Sequence, residues 1–367
     1  MAELLKNVYN NAFFNKFIRV VKVIDPSFNE VAFLASLYDD SWEEKALKQR
    51  MRHISICLKE QLTKDYSTNI NFILQLIPEL EKQGFKPDTL EFIFLPDFVE
   101  IYGRNDFETS IKAIEIITQF VSCEFAVRPF IQDKEKEMVK QLLVWSKHKH
   151  ASVRRLASEG CRPRLPWGMA LNSFKENPEP IIPILAKLKK DTSEYVRRSV
   201  ANNLNDIAKD HPERVLELAN KWFGNSKETD ALVKHGCRTL LKKGNTKAMN
   251  LFGFGELKDI HLKDFKILSP VVKIGNHLEF SFSVANRSNQ DTKIRLEYAV
   301  YFLLANNKLS KKVFKISEKI YLKNSTTTII KKHSFRIIST RKFYTGIQEV
   351  GIILNGIELD RGDFNLE

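Results

Sequence analysis

The chain has 367 residues, 43% hydrophobic and 28% charged, which is ordinary for a soluble globular protein. Its 58 lysines and arginines exceed its 45 aspartates and glutamates, and the net charge of +13 favours a polyanionic partner, nucleic acid before an anionic membrane surface. The four cysteines form no CxxC pair and no apolar run of about 18 residues occurs, which argues against a zinc or redox motif and a membrane span. We expect reduced thiols in a cytoplasmic protein.

Up to about residue 255, apolar residues recur at helical spacing. In IKAIEIITQFV (111–121), for example, five large apolar side chains fall on one face. Short proline-containing turns separate segments of 12–18 residues, which is typical of helix pairs. The predicted breaks are at residues 25–26, 77–78, 86–88, 177–178 and 210–212.

The helical part contains a repeat. HKHASVRRLASEG (148–160) aligns with SEYVRRSVANNLND (193–206) at a separation of 43 residues, and a weaker copy, TDALVKHGCRTLL (229–241), follows 37 residues later. Such periods are typical of HEAT-type repeats, whose second helices line one concave face. We therefore predict a basic track that binds a phosphate backbone, with a solvated charged face as the alternative. The track consists of Arg154, Arg155, Arg197, Arg198 and Lys234.

The segment SEGCRPRLPW (158–167) interrupts the first repeat. Gly160 and two prolines cannot simply continue a helix, so we predict a turn or a helix junction. Loops usually face solvent, where tryptophan is a poor choice unless it packs or binds something. We interpret Trp167 as offering a π face to a cation, with a cover over the end of the repeat stack as the alternative.

After the glycine-rich segment FGFGELKD (252–259), apolar residues alternate with period two. Turn signals such as Asn355-Gly356 separate six or seven predicted strands, which indicate an antiparallel sandwich of immunoglobulin type. We place a helical domain at 1–257 and a sandwich domain at 258–367. From residue 259 onward the chain contains 18 basic and 11 acidic residues. A second DNA contact and an inert stabilising module are equally good interpretations of this excess. The clearest predicted strands are 277–286, 292–302, 325–338 and 348–355.

Two acidic residues lie in unusual surroundings. Glu124 lies in the apolar stretch FVSCEFAVRPF, where burial would raise the pKa of its carboxyl group unless a cation or donor keeps it ionised. The alternative is that Glu124 caps a helix or pairs with Arg128. Asp206 ends the polar segment SVANNLND, where its alternative role is local satisfaction of a helix end. Because Glu124, Trp167 and Asp206 are 43 and 39 residues apart, about one repeat each, we predict that they meet on one face.

The blocks VRRLASEGCRPRLPW and VRRSVANNLNDIAKDHP resemble the AlkC/AlkD family of HEAT-repeat DNA alkylation repair glycosylases, and the AlkC branch best. ALKQRMRHISICLKEQL (46–62) and CEFAVRPFI (123–131) are similar to the same branch. The C-terminal part resembles the immunoglobulin-like domain that some AlkC proteins append. The resemblance thus implies an all-α HEAT-like solenoid followed by an all-β immunoglobulin-like sandwich.

The resemblance also implies an activity. It implies hydrolysis of the N-glycosidic bond of cationic N3-methylated bases, chiefly 3-methyladenine with 3-methylcytosine as a further candidate, without an extrahelical pocket. It places the acidic and aromatic site positions on Glu124, Trp167 and Asp206. The arginine blocks fall in the family's DNA-binding face, and we expect Arg162 and Arg164 to lie at the lesion.

Several further expectations follow from these residues. No lysine is singled out for Schiff-base chemistry, so we expect a monofunctional glycosylase. No metal and no cofactor is expected, because the sequence contains no P-loop, HExxH or GxGxxG motif. The expected partner is double-stranded DNA with alkylated bases, bound by a monomer in the bacterial cytoplasm at the nucleoid and not at a membrane. The alternatives are a non-catalytic DNA-damage binder and a HEAT-repeat protein scaffold.

Overall fold

The computed structural model describes residues 4–338 and 341–367, and it confirms a helical region followed by a β-sandwich. The described residues contain 16 α-helices, all before the first strand. They are α1 (Asn11–Ile24), α2 (Glu30–Leu37), α3 (Leu47–Gln61), α4 (Tyr66–Lys82), α5 (Phe94–Tyr102), α6 (Phe107–Ile117), α7 (Val127–Asp133), α8 (Glu135–Trp145), α9 (Ala151–Glu159), α10 (Asn172–Glu176), α11 (Ile182–Leu188), α12 (Glu194–Ile207), α13 (Pro212–Trp222), α14 (Lys227–Gly236), α15 (Arg238–Lys242) and α16 (Thr246–Leu251).

The predicted repeats correspond to stacked helices. The aligned segments fall on α9, α12 and α14, and α12 packs against both of the others. Burial follows the predicted apolar spacing: in α6, Ile111, Ile114 and Ile117 are buried, and the face continues into the next turn with Phe120 and Val121. The helical period in the sequence therefore marks the faces that form the core of the solenoid.

One predicted helix break is wrong. Helix α4 continues through Pro78, although a proline has no N–H to donate to the preceding turn. Ile73, Leu76 and Leu80 surround the proline and are all fully buried. Their burial stabilises the helix by roughly 1.5–3 kcal/mol each, which together exceeds the roughly 3 kcal/mol cost of an interior proline.

The repeated arginine doublets close the turns that precede α9 and α12. Nη1 of Arg154 donates to both carbonyls of residues 148–149, at 2.9 and 2.8 Å. Nη1 of Arg197 donates in the same way to residues 191–192, at 2.7 and 2.9 Å. Arg154 also forms a bidentate ion pair with Asp191, with Nε 2.6 Å from Oδ2. We call these two arginines the repeat caps, and Asp191 joins one cap to the next.

We expect Arg154→Ala to lower the free energy of unfolding by about 1.5–3 kcal/mol, the range for hydrogen bonds to charged groups. Burial alone would raise the pKa of Asp191, but hydrogen bonds from Arg154 and the Ser193 N–H outweigh it and hold the pKa below its usual value. A depressed carboxyl pKa adds stability above the unfolded pKa of about 3.9 and loses it as the pH falls. Urea unfolding should therefore show a deficit at pH 7 that shrinks toward pH 3.

The control for this prediction is Arg104→Ala. Arg104 forms a similar bidentate pair with Asp133, but the two side chains are 49% and 37% exposed. Exposed pairs contribute about 0–1 kcal/mol, so this variant should unfold nearly like the wild type. Equal deficits for both variants would contradict a specific role for the cap.

The C-terminal region is a sandwich of two sheets, as predicted. A three-stranded sheet has the order β1-β3-β6 and a five-stranded sheet the order β2-β8-β7-β4-β5, with every pairing antiparallel except that of β2 with β8. Asn355 and Gly356 both have positive φ and form the two-residue turn between β7 and β8. The strands are β1 (Ile260–Ile267), β2 (Val271–Val272), β3 (His277–Asn286), β4 (Thr292–Leu303), β5 (Leu309–Tyr321), β6 (Ser325–Ser334), β7 (Gly346–Leu354) and β8 (Ile357–Leu366).

The chain divides into two compact units. One unit comprises Met1–His211 and Trp222–Gly236, and the other comprises Pro212–Lys221 and Cys237–Glu367. The last helices thus group with the sandwich, where Lys293 donates to the carbonyl of Phe252 at 2.8 Å. The boundary at residue 257 remains a prediction. Among residues 4–338 and 341–367, no helix is long and apolar enough to cross a bilayer.

Candidate active site

A cavity of about 210 Å³ opens where several helices of the first unit begin or end. Glu124 enters it from the turn between α6 and α7, Arg155 from α9, and Tyr195 from the first turn of α12. Trp167 comes from the loop that follows α9, and Phe125 contributes its ring. We call this cavity the Glu124 pocket. It brings together Glu124 and Trp167, which are one repeat apart in the sequence.

Trp167 presents its indole at the surface of this pocket. Trp167 is 65% exposed, and its backbone φ is +64°. An ordinary residue adopts this left-handed conformation only where surrounding contacts hold it, and such positions cluster at functional sites. An exposed indole on a constrained backbone is suited to stacking on a ligand.

Glu124 is paired with an arginine, but not with the one considered from the sequence. Nη1 of Arg155 lies 2.7 Å from Oε2 of Glu124 and donates to the Ser122 hydroxyl at 2.7 Å. The pairing of Glu124 with Arg128 is therefore wrong, because Arg128 donates instead to the carbonyls of Gly160 and Met169. The Arg155 guanidinium also lies 4.8 Å from the centre of the Tyr195 ring.

Ionic contacts extend from Glu124 into the protein as one alternating series. Nη2 of Arg155 is 3.6 Å from Oε1 of Glu159, which also receives Nη1 of Arg162 at 2.7 Å. Nε of Arg162 is 2.8 Å from Oδ2 of Asp206, and Lys209 is 3.0 Å from Oδ1. Three carboxylates thus alternate with three cations. We call this series the charge chain: Glu124, Arg155, Glu159, Arg162, Asp206 and Lys209.

Asp206 lies at the far end of this chain. It is 1% exposed, both carboxylate oxygens have cationic partners, and it does not line the Glu124 pocket. Of the three predicted site residues, the structure therefore places Glu124 and Trp167 in one pocket. Asp206 connects to them through Arg162, Glu159 and Arg155.

Sequence reasoning missed Glu159 and Tyr195. Glu159 lies four residues after Arg155 on α9, a spacing that puts the two side chains on one helix face. Arg162 follows three residues later, in the turn after α9, and also contacts Glu159. Glu159 is only 5% exposed, and it is the carboxylate that links the two arginines. The R-x-x-x-E-x-x-R spacing was the available signal, but taken alone it also describes a solvated helix face.

The predicted basic residues have different environments. Arg154 and Arg197 are the repeat caps, and Arg162 belongs to the charge chain. Arg164 forms a bidentate pair with Asp210, with Nη2 2.6 Å from Oδ1. Arg198 is exposed and lines a groove of about 220 Å³ between α12 and α14. Lys234, on α14, is half-buried.

The fold and the pocket together define the class: a helical-repeat protein with an acidic and aromatic pocket and an immunoglobulin-like sandwich. Residues 261–367 match the family described as the C-terminal Ig-like domain of uncharacterised protein YhaZ. The chain is 43% identical over 362 residues to the uncharacterized protein YhaZ of Bacillus subtilis (strain 168), covering 99% of each protein.

A solved structure extends this similarity. The chain matches the Pseudomonas fluorescens alkylpurine DNA glycosylase AlkC, bound to DNA containing an abasic site analog, with a TM-score of 0.93 and 32% identity over 100% of both chains. The chain belongs to the AlkC branch of the AlkC/AlkD family of DNA alkylation repair glycosylases, as its sequence motifs predicted.

Proposed function

We propose that this protein is a monofunctional DNA glycosylase that removes cationic N3-alkylated bases from duplex DNA. The candidate substrates are 3-methyladenine and 3-methylcytosine. One observation carries the proposal: the Glu124 carboxylate and the exposed Trp167 indole line the same pocket. The similarity to AlkC, which was solved with abasic-site DNA, supports the same class of reaction.

The chemistry of the lesion matches these side chains. A base methylated at N3 is cationic and leaves as a neutral molecule, so departure needs little general-acid assistance. The bond that breaks joins the base nitrogen to C1′ of the sugar, and its electron pair leaves with the base. An oxocarbenium-like sugar remains, as in glycoside hydrolysis. The oxygen of a water molecule forms the new C1′–O bond, and that water releases one proton to the solvent. What requires stabilisation is positive charge.

In this proposal Glu124 is the carboxylate that stabilises that charge. Its side chain is 19% exposed, so it is partly shielded from water yet open to the pocket. A preorganised carboxylate near developing positive charge stabilises the transition state, and it can also orient the attacking water. Arg155 holds Glu124 in place through the 2.7 Å contact.

Trp167 contributes binding of the cationic nucleoside. An aromatic face attracts a cation by roughly 0.5–2 kcal/mol, depending on how far the pair is desolvated. Tyr195 presents a second ring to the pocket. Asp206 is buried and lies outside the pocket. In this proposal it acts indirectly, through Arg162 and Glu159. These two residues keep Arg155, and with it Glu124, in position.

The proposed DNA surface centres on Arg198, on the exposed side of α12. We expect Arg198→Ala to weaken duplex binding and to reduce the slope of log affinity against log salt by about one, because one phosphate contact is lost. Fluorescence anisotropy with labelled duplex between 50 and 200 mM salt measures both quantities. Arg19→Ala removes one exposed charge from α1 and is the control. An unchanged slope would remove Arg198 from the proposed surface.

The decisive test is release of bases from methylated duplex DNA by purified protein in the presence of EDTA. Free 3-methyladenine and new abasic sites, without strand cleavage, are expected for a monofunctional glycosylase. In this proposal the enzyme acts as a monomer on nucleoid DNA. Binding without release would favour the non-catalytic damage binder, and neither binding nor release would favour a protein scaffold.

A further inference from the structure

Lys48 connects α3 to a loop that lies 119 residues further along the chain. Its Nζ donates to the carbonyl oxygen of Trp167 at 2.9 Å and lies 4.8 Å from the centre of the Phe125 ring. Phe125 follows Glu124 directly, and Phe125 and Trp167 both line the Glu124 pocket. One ammonium group therefore contacts the turn that carries the carboxylate and the loop that carries the indole.

The loop around Trp167 is also held from the protein interior. Buried Arg128 donates from Nη1 to the carbonyl of Gly160 at 2.8 Å and from Nε to the carbonyl of Met169 at 2.6 Å. Burial lowers the pKa of Arg128 to about 10. These bonds fix the two flanks of the loop, and the Gly168 N–H closes its turn by donating to the Leu165 carbonyl at 3.1 Å. The carbonyl oxygen of Trp167 is left to another partner.

That peptide group is where local support matters. Trp167 has a φ of +64°, in the left-handed region that residues with a Cβ rarely adopt, and its indole is exposed. A strained backbone persists only where surrounding contacts determine it. The bond from Lys48 is such a contact, and it comes from a helix outside the repeat that contains the loop.

We propose that Lys48 is a positioning residue that sets the indole of Trp167 against the substrate beside Glu124. This inference rests on the proposed function. Lys48 acts by holding the Trp167 carbonyl and the Phe125 ring together. When Lys48 is lost, the 2.7 Å ion pair with Arg155 still holds Glu124. The indole then samples orientations that no longer match the bound lesion. Small misplacements of this kind reduce catalysis strongly because binding geometry sets the reaction rate.

The matched variants are Lys48→Met, Lys48→Arg and Lys16→Met. Lys48 is exposed, so methionine replaces it without opening the core, and arginine retains the cationic donor. Lys16 likewise lies over a ring, 4.1 Å from the centre of Phe85, and is exposed on α1. Lys16→Met therefore controls for the loss of one charge and one cation–π contact.

Tryptophan fluorescence reports the position of the loop without DNA. Trp167 is 65% exposed, whereas the other three tryptophans, Trp42, Trp145 and Trp222, are 4%, 0% and 1% exposed. Acrylamide quenching therefore selects Trp167, and the anisotropy decay of the quenchable fraction measures its motion on the nanosecond scale of loops. We expect a larger fast component in Lys48→Met, and wild-type behaviour in Lys48→Arg and Lys16→Met.

Single-turnover release of 3-methyladenine at saturating enzyme gives the second readout. We expect Lys48→Met to slow release about 10- to 100-fold, and Lys48→Arg to restore most of the rate. Unchanged anisotropy or an unchanged rate in Lys48→Met would overturn the positioning role while the wild type remains active. No release by the wild type would overturn the proposed function, and the positioning role with it.

Discussion

Glu124→Gln is expected to slow single-turnover release of 3-methyladenine by about 100- to 1,000-fold, the range found when one electrostatic group of a preorganised site is removed. The amide has nearly the same shape as the carboxylate but carries no charge to oppose the positive sugar. Its contact with Arg155, now 2.7 Å, also becomes weaker. Rapid-quench kinetics on methylated duplex, with enzyme in excess, measure the chemical step directly.

Duplex binding should persist in this variant, because Glu124 repels phosphate rather than attracting it. Glu176→Gln, an exposed glutamate on α10, removes the same charge away from the pocket and should retain the wild-type rate. A Glu124→Gln enzyme that releases base at the wild-type rate would exclude this carboxylate from the reaction and shift attention to Glu159.

Arg162→Met should be the most destabilising substitution along the charge chain. Burial alone would lower the pKa of the Arg162 guanidinium, but Glu159 and Asp206 outweigh burial and hold its pKa above the usual value. Methionine leaves both carboxylates buried without this partner. Removing one member of a buried pair costs about 3–5 kcal/mol, which should appear as a loss in the free energy of urea unfolding at pH 8.

The size of the loss should depend on the burial of the ion pair. Arg164→Met is the control, since Arg164 pairs with Asp210 where the side chains are 37% and 27% exposed. Equal deficits in Arg162→Met and Arg164→Met would contradict this dependence on burial.

The repeat period predicted that Glu124 and Trp167 line one pocket, but it did not predict that Asp206 lies outside it. Glu124 and Trp167 meet as expected, since residues one period apart fall on equivalent faces of stacked elements. Asp206 obeys the same spacing, but its side chain is on the buried side of α12, where the residue is 1% exposed. A period locates the backbone, whereas the direction of a side chain depends on its position within the helix turn.

The arginine track shows a second limit of sequence reasoning. A residue that recurs once per repeat can bind a repeating ligand or maintain a repeating turn, and both uses give the same pattern. Arg154 and Arg197 serve the turns through paired carbonyl contacts, while Arg198 remains exposed. The helical and sandwich regions were predictable because period and turn chemistry are local, but ion pairing across 44 residues, as between Arg162 and Asp206, is not.

The repeat caps have a mechanical consequence. Asp191 is held through its carboxylate by Arg154 of one repeat and through its carbonyl by Arg197 of the next. Such a joint resists bending between α9 and α12, because any change of angle must stretch several hydrogen bonds at once. The face that these helices offer is then stiff before a ligand arrives, and association loses little conformational entropy. The distance and angle between α9 and α12 are therefore set before binding. A ligand with a regular repeat must match that spacing.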